Sequence, residues 1–371
     1  MKTILKGLSD ENIPIEVTIE NSKISNVKKS SHNFKDYIIP GFIDRHIHGG
    51  FGSDFMDANL NSINNLLSKL PSQGTTSIFY TSITAPDNDI KNAVEVLDKY
   101  LKEPNIKNTQ VLGYHIEGPY INESKKGAHN EKLFKPLNKK EVEKLLSWTK
   151  NISTITYAIE NSSKDITKYL KKNNIEPSVG HSTASSTLTD EHIQKGLSHC
   201  THVHNAMSGY GHRIDNMGIV NSAYYNDDVY AEIIVDGIHV DKNVVKTLYK
   251  SKPVSKIIAV TDAIRPAGLK DGMYESAGLN IYKKGNLIKT ERGEIAGSSQ
   301  TMIGNFNNLI EFTGCTIKEA VLMTSTNVAH SMNIKNKGLL KEGYDADIII
   351  LTKNKNSNYE VKEKYIMGIK I

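Results

Sequence analysis

The sequence predicts an α/β fold: a (β/α)8 TIM-like barrel with a small β-sandwich domain formed from both termini. Two observations predict the barrel. From Tyr37 onward, short apolar β-branched runs alternate with amphipathic stretches of helical periodicity, as in βαβ units around a parallel sheet. Eight such runs occur, which favours a closed barrel over an open sheet. The runs are residues 38–48, 75–82, 111–117, 153–159, 177–182, 198–203, 231–236 and 257–262.

The segments between these runs carry helix signals. Residues 60–70 place their leucine and isoleucine side chains on one helical face. Asn138 followed three residues later by Glu141, and Thr316 followed by Glu319, have the pattern of helix N-termini with reciprocal capping. The sequence therefore predicts helices that begin just after Asn138 and Thr316.

The two ends of the chain read as strands. Residues 15–19 alternate apolar and polar side chains, as a half-buried strand does, and the tail after Gly338 returns to apolar β-branched runs. Neither end could bury a core alone, so we expect both to meet in one small β-domain beside the barrel. The predicted boundaries are residues 1–40 and 335–371 for the β-sandwich domain and 41–334 for the barrel.

Composition limits the class of partner. Lys and Arg number 46 and Asp and Glu 41, a net charge of +5 that suits an acidic small molecule. We find no basic block with interleaved aromatic residues, which argues against nucleic acid. No run approaches the roughly 20 apolar residues of a membrane span, and no secretory segment follows Lys2. The two cysteines, Cys200 and Cys315, lack metal-type spacing. We expect a soluble cytoplasmic protein.

The strongest chemical signal lies at the end of the first predicted barrel strand, in Asp44-Arg45-His46-Ile47-His48-Gly49. Because strand side chains alternate, His46 and His48 point to the same side and could grip one divalent ion. An isolated pair of this kind is more often two core histidines. Recurrence at other strand ends reverses that interpretation, because Glu117, His181, His202 and Asp262 stand at four of them.

Active sites of such barrels gather at the carboxyl ends of the strands. Imidazole and carboxylate groups together suit zinc, iron(II) or similar ions. His115 lies two residues before Glu117 and shares its face, so it is a further candidate for the pocket. The sequence therefore predicts a divalent-metal site at this rim of the barrel.

Seven motifs follow one another along the chain. They are PGFIDRHIHG (40–49), HIEGP (115–119), KGAHN (126–130), GHS (180–182), HVHNAM (202–207), DGIHV (236–240) and VTDA (260–263). In this order they resemble the N-acetylglucosamine-6-phosphate deacetylases, a branch of the amidohydrolase superfamily, over nearly the whole chain. The resemblance implies a barrel with a split β-sandwich and a homodimer. It also implies hydrolysis of N-acetylglucosamine 6-phosphate to glucosamine 6-phosphate and acetate, in amino-sugar catabolism or cell-wall recycling.

The resemblance also implies roles for single residues. Asp262 would be the catalytic acid and base. The implied metal ligands are Glu117, His181 and His202 for the ion common to the family, with His46 and His48 for a second ion. The implied substrate contacts are His129, His239, Asn205, Ala206 and Arg213, the last as the ion-pair partner of the phosphate, donated across a dimer interface. The chain departs from the family pattern at Ile214 to Gly218, where Glu-Pro is common.

Three alternatives remain open at this stage. A deacetylase for the galactosamine isomer differs by one sugar hydroxyl, and the sequence does not separate the two. A dihydroorotase-like cyclic-amide hydrolase would carry a modified lysine at the end of the fourth strand, where residues 154–160 contain no lysine. A catalytically silent barrel that binds sugar phosphates is disfavoured by the complete ligand set and Asp262.

Overall fold

Eight parallel strands in chain order form the central sheet of the computed structural model, which describes residues 2–213 and 215–371. Each strand pairs with the next one along the chain, as the predicted βαβ units require. The strands are Phe42–Ile47, Thr75–Ser82, Gln110–Glu117, Ile152–Tyr157, Glu176–Val179, His199–Cys200, Tyr230–Ile234 and Ile257–Val260.

The sheet closes where its first and eighth strands meet. The backbone N–H of Asp262 donates to the carbonyl of His46 at 2.9 Å. The N–H of His48 donates in the same way to the carbonyl of Ala263, also at 2.9 Å. Closure brings the carboxyl ends of all eight strands to one rim. The predicted barrel is therefore confirmed.

Helices connect the strands and cover the barrel. The N-caps expected from the sequence are present: Asn138 accepts the N–H of Glu141 at 3.1 Å, and Thr316 and Glu319 cap each other's backbone. Among the described residues, none of the helices has both the length and the apolar character of a membrane span. The helices are Leu60–Lys69, Asp87–Lys102, Lys139–Trp148, Ile166–Lys172, Ser186–Gln194, Ile219–Tyr225, Lys242–Ser251, Met302–Thr313, Ile317–Val321 and Asn327–Ser331.

Both termini contribute to a second sheet of seven strands. In it, Tyr37–Pro40 lies between Lys2–Leu8 and Ile348–Lys353, so the two ends of the chain are joined by backbone hydrogen bonds. The other strands are Pro14–Glu20, Lys23–Lys29, Tyr359–Ile366 and Ile369–Lys370. The small β-domain built from both termini is confirmed, and its boundaries at residues 40 and 335 stay a prediction.

A three-stranded antiparallel sheet follows the eighth barrel strand and was not expected from the sequence. Its strands are Gly272–Ser276, Leu279–Lys284 and Leu287–Thr290. Ile281 and Ile288 pack with Ile264 and Ala296 in a small apolar cluster of their own. Because Ile264 follows the last barrel strand, this cluster holds the extra sheet, called the flap below, against the rim.

Candidate metal centre and active-site cleft

The residues predicted from the strand ends meet at the rim of the barrel. At three of them, His181, His202 and Asp262, the chain leaves its strand with φ values of 48°, 34° and 50°. A residue other than glycine in this left-handed region is destabilised by about 1–3 kcal/mol. Backbone strain is thus concentrated at residues that place an imidazole or a carboxylate in the rim.

Glu117 lies at the centre of this cluster and is buried. Its Oε1 atom is 2.9 Å from Nε2 of His202 and 3.3 Å from Nε2 of His181. Its Oε2 atom is 3.1 Å from Nε2 of His48 and 3.3 Å from Nε2 of His46. Each carboxylate oxygen therefore faces one pair of imidazoles.

Asp262 completes one side of the cluster. Its Oδ1 atom is 3.2 Å from Nε2 of His48 and 3.4 Å from Nε2 of His46. One candidate ligand set comprises His46, His48, Glu117 and Asp262, and a second comprises Glu117, His129 and His181, each with its donor atoms within 4.8 Å of one another. The structure thus brings together a His, Glu and Asp cluster with the composition and spacing of a metal site.

The cluster has shifted protonation equilibria. Burial would raise the pKa of Glu117, but His46 and hydrogen bonds from His181 and His202 hold it well below the ordinary value. Burial would lower the pKa of His48, yet its contacts with Asp262 and Glu117 raise it to about 10. Contact with Glu117 likewise overcomes burial and raises the pKa of His202 to about 9. Protons therefore balance the buried carboxylates, and a divalent cation would compete for the same nitrogen atoms.

Neighbouring groups orient the rings of the cluster. Nδ1 of His181 lies 2.7 Å from the backbone carbonyl of Lys125, which can only accept, so Nδ1 carries a proton and Nε2 is the ring nitrogen that a cation would bind. His115 packs edge-on against His46, with 4.7 Å between the ring centroids, and its Nε2 lies 2.7 Å from Oγ1 of Thr156. His115 thus supports the cluster from below and does not line the cleft.

A cleft opens above the cluster, with the flap as one wall. Four of the predicted substrate residues line it: His129, Asn205, Ala206 and His239. The apolar part of the wall comprises Ile83, Ile264, Leu279, Ile281 and Ile295. Among the described residues that line the cleft, none is a lysine or an arginine. A partly apolar cleft of this kind suits a small polar ligand.

The structure does not bring Arg213 to the cleft of its own chain. Arg213 is exposed, and its backbone N–H donates to Oδ1 of Asn216 at 3.0 Å. Ile214, the first residue of the departure from the family pattern, lies outside the described residues. Arg213 is therefore the one predicted substrate residue that stands apart from the others.

Two residues that hydrogen-bond to the cleft histidines were not predicted from the sequence. Oγ1 of Thr84 lies 2.7 Å from Nδ1 of His129, and Oδ2 of Asp236 lies 2.7 Å from Nδ1 of His239. Asp236 precedes His239 by three residues in the DGIHV motif, so the spacing was available as a signal. Thr84 follows the second barrel strand in no motif of its own.

The chain is similar in sequence and fold to proteins named as deacetylases of amino-sugar phosphates. The model of the Amidohydrolase family matches residues 37–369. The chain is 33% identical over 354 residues to the N-acetylglucosamine-6-phosphate deacetylase of Bacillus subtilis (strain 168), covering 93% of this chain and 88% of that protein. It is 29% identical over 361 residues to the N-acetylgalactosamine-6-phosphate deacetylase of Escherichia coli O157:H7, covering 96% and 90%. The crystal structure of N-acetylglucosamine-6-phosphate deacetylase from Thermotoga maritima superposes with a TM-score of 0.91 at 31% identity, covering 100% and 99% of the chains.

Proposed function

The chain belongs to the amidohydrolase family, and on that premise we propose that it hydrolyses N-acetylglucosamine 6-phosphate to glucosamine 6-phosphate and acetate. The resemblance to the deacetylases drawn from the ordered motifs is confirmed by relatives of that name. The observation that carries the proposal is the position of Glu117, between four histidines and beside Asp262, at the floor of the cleft. Amide hydrolysis needs this combination of a cation site and a proton carrier.

The donor set would hold two divalent ions, with Glu117 among the residues near both. His181 and His202 face one oxygen of the carboxylate, and the other oxygen faces the side that His46, His48 and Asp262 form. Imidazole nitrogen and carboxylate oxygen atoms suit zinc or iron(II). A divalent ion bound there would supply an acidified water and would polarise the acetyl carbonyl.

Asp262 is the proton carrier in this proposal. Burial would raise the pKa of Asp262, but His46 and His48 lower it below the ordinary value, so the carboxylate is ionised. It takes a proton from the attacking water and passes it to the departing nitrogen, because an amine leaves poorly unless it is protonated. His129 and His239 line the same cleft and bind the acetamido sugar.

The phosphate requires a cation that the cleft lacks among its described lining residues. Asn205 and Ala206 line the cleft and offer amide donors, which bind a dianion more weakly than a guanidinium does. Arg213 is exposed and apart from its own cleft. We assign it to the cleft of a second copy, so that the enzyme acts as a homodimer.

Acetate release tests the proposed reaction. The metal-loaded protein is given N-acetylglucosamine 6-phosphate, its galactosamine isomer or unphosphorylated N-acetylglucosamine at equal concentrations. We expect the highest kcat/KM with the glucosamine phosphate and the lowest with the sugar that lacks phosphate. Absence of acetate from both phosphorylated sugars would contradict the proposal, and a preference for the galactosamine isomer would revise the substrate.

Arg213→Ala is expected to lower kcat/KM for the phosphorylated sugar by roughly 10- to 100-fold, as for a lost hydrogen bond to a charged group. Use of the unphosphorylated sugar should hardly change. Steady-state kinetics on both sugars make the measurement. Lys102→Ala is the control, because Lys102 is exposed at the end of the helix Asp87–Lys102 and lines neither the cleft nor the pocket that adjoins it.

If Arg213 acts across a dimer interface, hybrid dimers provide a second test of its role. Mixing Arg213→Ala with an inactive Asp262→Asn protein should recover activity, because the second chain donates its Arg213 to the intact cleft of the first. Equal losses on both sugars would show that Arg213 supports the fold. Unchanged activity after confirmed subunit exchange would place Arg213 within its own chain.

His48→Gln is expected to halve the bound metal, because His48 faces only the Oε2 side of Glu117. Elemental analysis should find about two ions per wild-type chain and about one in the variant. His204→Gln is the control, since His204 lies beyond the sixth strand, two residues after His202, and its Nε2 is 3.0 Å from the hydroxyl of Tyr224. An unchanged metal content in His48→Gln would remove His48 from the ligand set.

A further inference from the structure

The hydrogen bonds behind His129 limit which of its ring nitrogen atoms carries the proton. Nδ1 faces Thr84, with the Thr84 hydroxyl at 2.7 Å and the Thr84 backbone N–H at 3.4 Å. A backbone N–H can only donate, so Nδ1 is the acceptor, and the hydroxyl must donate to it as well. The proton of the neutral ring then sits on Nε2, which points toward the metal cluster, 3.7 Å from Oε2 of Glu117.

The hydrogen bonds behind His239 have the opposite consequence. Nδ1 lies 2.7 Å from Oδ2 of Asp236, and a carboxylate only accepts, so Nδ1 carries the proton. The other oxygen of Asp236 accepts the backbone N–H groups of Ile238 and His239, both at 2.8 Å. Three donors therefore hold this buried carboxylate in one orientation, and in the neutral ring Nε2 of His239 is left with a lone pair.

We propose that Thr84 and Asp236 are positioning residues that fix the two cleft histidines in opposite hydrogen-bonding roles. His129 is a donor and His239 an acceptor. A ligand must then offer an oxygen acceptor to His129 and an O–H or N–H donor to His239. On the proposed function, the acetyl carbonyl, which gains negative charge during the reaction, fits His129, and a sugar hydroxyl fits His239.

Substitutions that preserve side-chain shape distinguish the hydrogen-bonding roles of Thr84 and Asp236 from an effect on packing. Thr84→Val removes the hydroxyl and leaves only the weaker N–H contact, whereas Thr84→Ser retains the hydroxyl. In Asp236→Asn, the side-chain oxygen must stay with the two backbone N–H groups, so the amide N–H faces Nδ1 of His239. That donor would move the ring proton to Nε2 and reverse the role of His239 in the cleft.

Nitrogen-15 NMR of labelled histidine in the zinc-loaded protein reads the ring proton directly. Peaks are assigned with His129→Gln and His239→Gln. We expect the proton on Nε2 of His129 and on Nδ1 of His239, a mixture at His129 in Thr84→Val, and a reversal at His239 in Asp236→Asn. A wild-type proton on Nδ1 of His129 would overturn the proposal for Thr84, since it would free Nε2 as a metal ligand. A wild-type proton on Nε2 of His239 would overturn the proposal for Asp236.

Kinetics supply the second readout. Thr84→Val should lower kcat about 10-fold with little change in KM, and Thr84→Ser should restore it. Asp236→Asn should lower kcat/KM by roughly 10- to 100-fold at unchanged metal content. Thr189→Val is the control for loss of a buried hydroxyl, because Thr189 bonds only within its own helix, to Ser185 at 2.8 Å. Wild-type kinetics in both variants would overturn the proposal. The NMR measurement needs no substrate, so it holds even if another sugar is hydrolysed.

Discussion

Glu117→Gln is expected to lose most of its bound metal and nearly all of its activity while it stays folded. Both oxygen atoms of Glu117 face histidine pairs, so one amide substitution removes the shared negative charge and replaces one ligand atom with an N–H donor. Loss of groups that merely orient metal ligands costs about 10- to 100-fold in affinity or activity. Loss of the central ligand should therefore exceed 100-fold.

Elemental analysis, acetate release and a thermal melt of the purified variant make this measurement. Glu232→Gln is a useful control, because Glu232 is a buried barrel carboxylate paired with Arg45 outside the metal cluster. That control should be destabilised, since an uncompensated buried charge is costly, and yet keep its metal. Full metal content with normal turnover in Glu117→Gln would remove Glu117 from the ligand set.

The barrel and the metal cluster were predictable because their signals are local and repeated. Each strand is an apolar run, and five strands carry a histidine or a carboxylate at the carboxyl end or just beyond it. The prediction of the site did not depend on exact strand bounds. The sequence predicts the sixth strand over 198–203, whereas the strand ends at Cys200. His202 nevertheless reaches the cluster, because a left-handed turn just beyond the strand directs it inward.

The flap and the supports of the cleft histidines could not be predicted in the same way. The flap buries only a small apolar cluster, and much of its middle strand is exposed, so its hydrophobic pattern is weak. Thr84 contacts His129 across 45 residues of sequence, and a single hydroxyl carries no periodic signal. The role of such a residue depends on which strand ends become neighbours, and only the closed barrel decides that.

Asp262→Asn is expected to keep metal and substrate binding but to lower kcat by roughly 100-fold or more, the scale of general acid–base catalysis. The asparagine has the same shape, and its oxygen can take the place of Oδ1 beside His48 and His46. It has no basic carboxylate, so it can neither accept a proton from the attacking water nor return one to the amine. The effect should therefore fall on kcat with little change in KM.

Steady-state kinetics and elemental analysis of the same preparation separate proton transfer from metal loss. Asp98→Asn is the matched control, because Asp98 is hydrogen-bonded to Tyr114, Thr149 and Asn151 beside the amino end of the fourth strand, far from the rim. It should retain normal turnover. A metal-depleted Asp262→Asn protein would make Asp262 chiefly a ligand. Near-normal turnover with full metal would mean that another group moves the proton, and His129 and His239 are the residues of the cleft to substitute next.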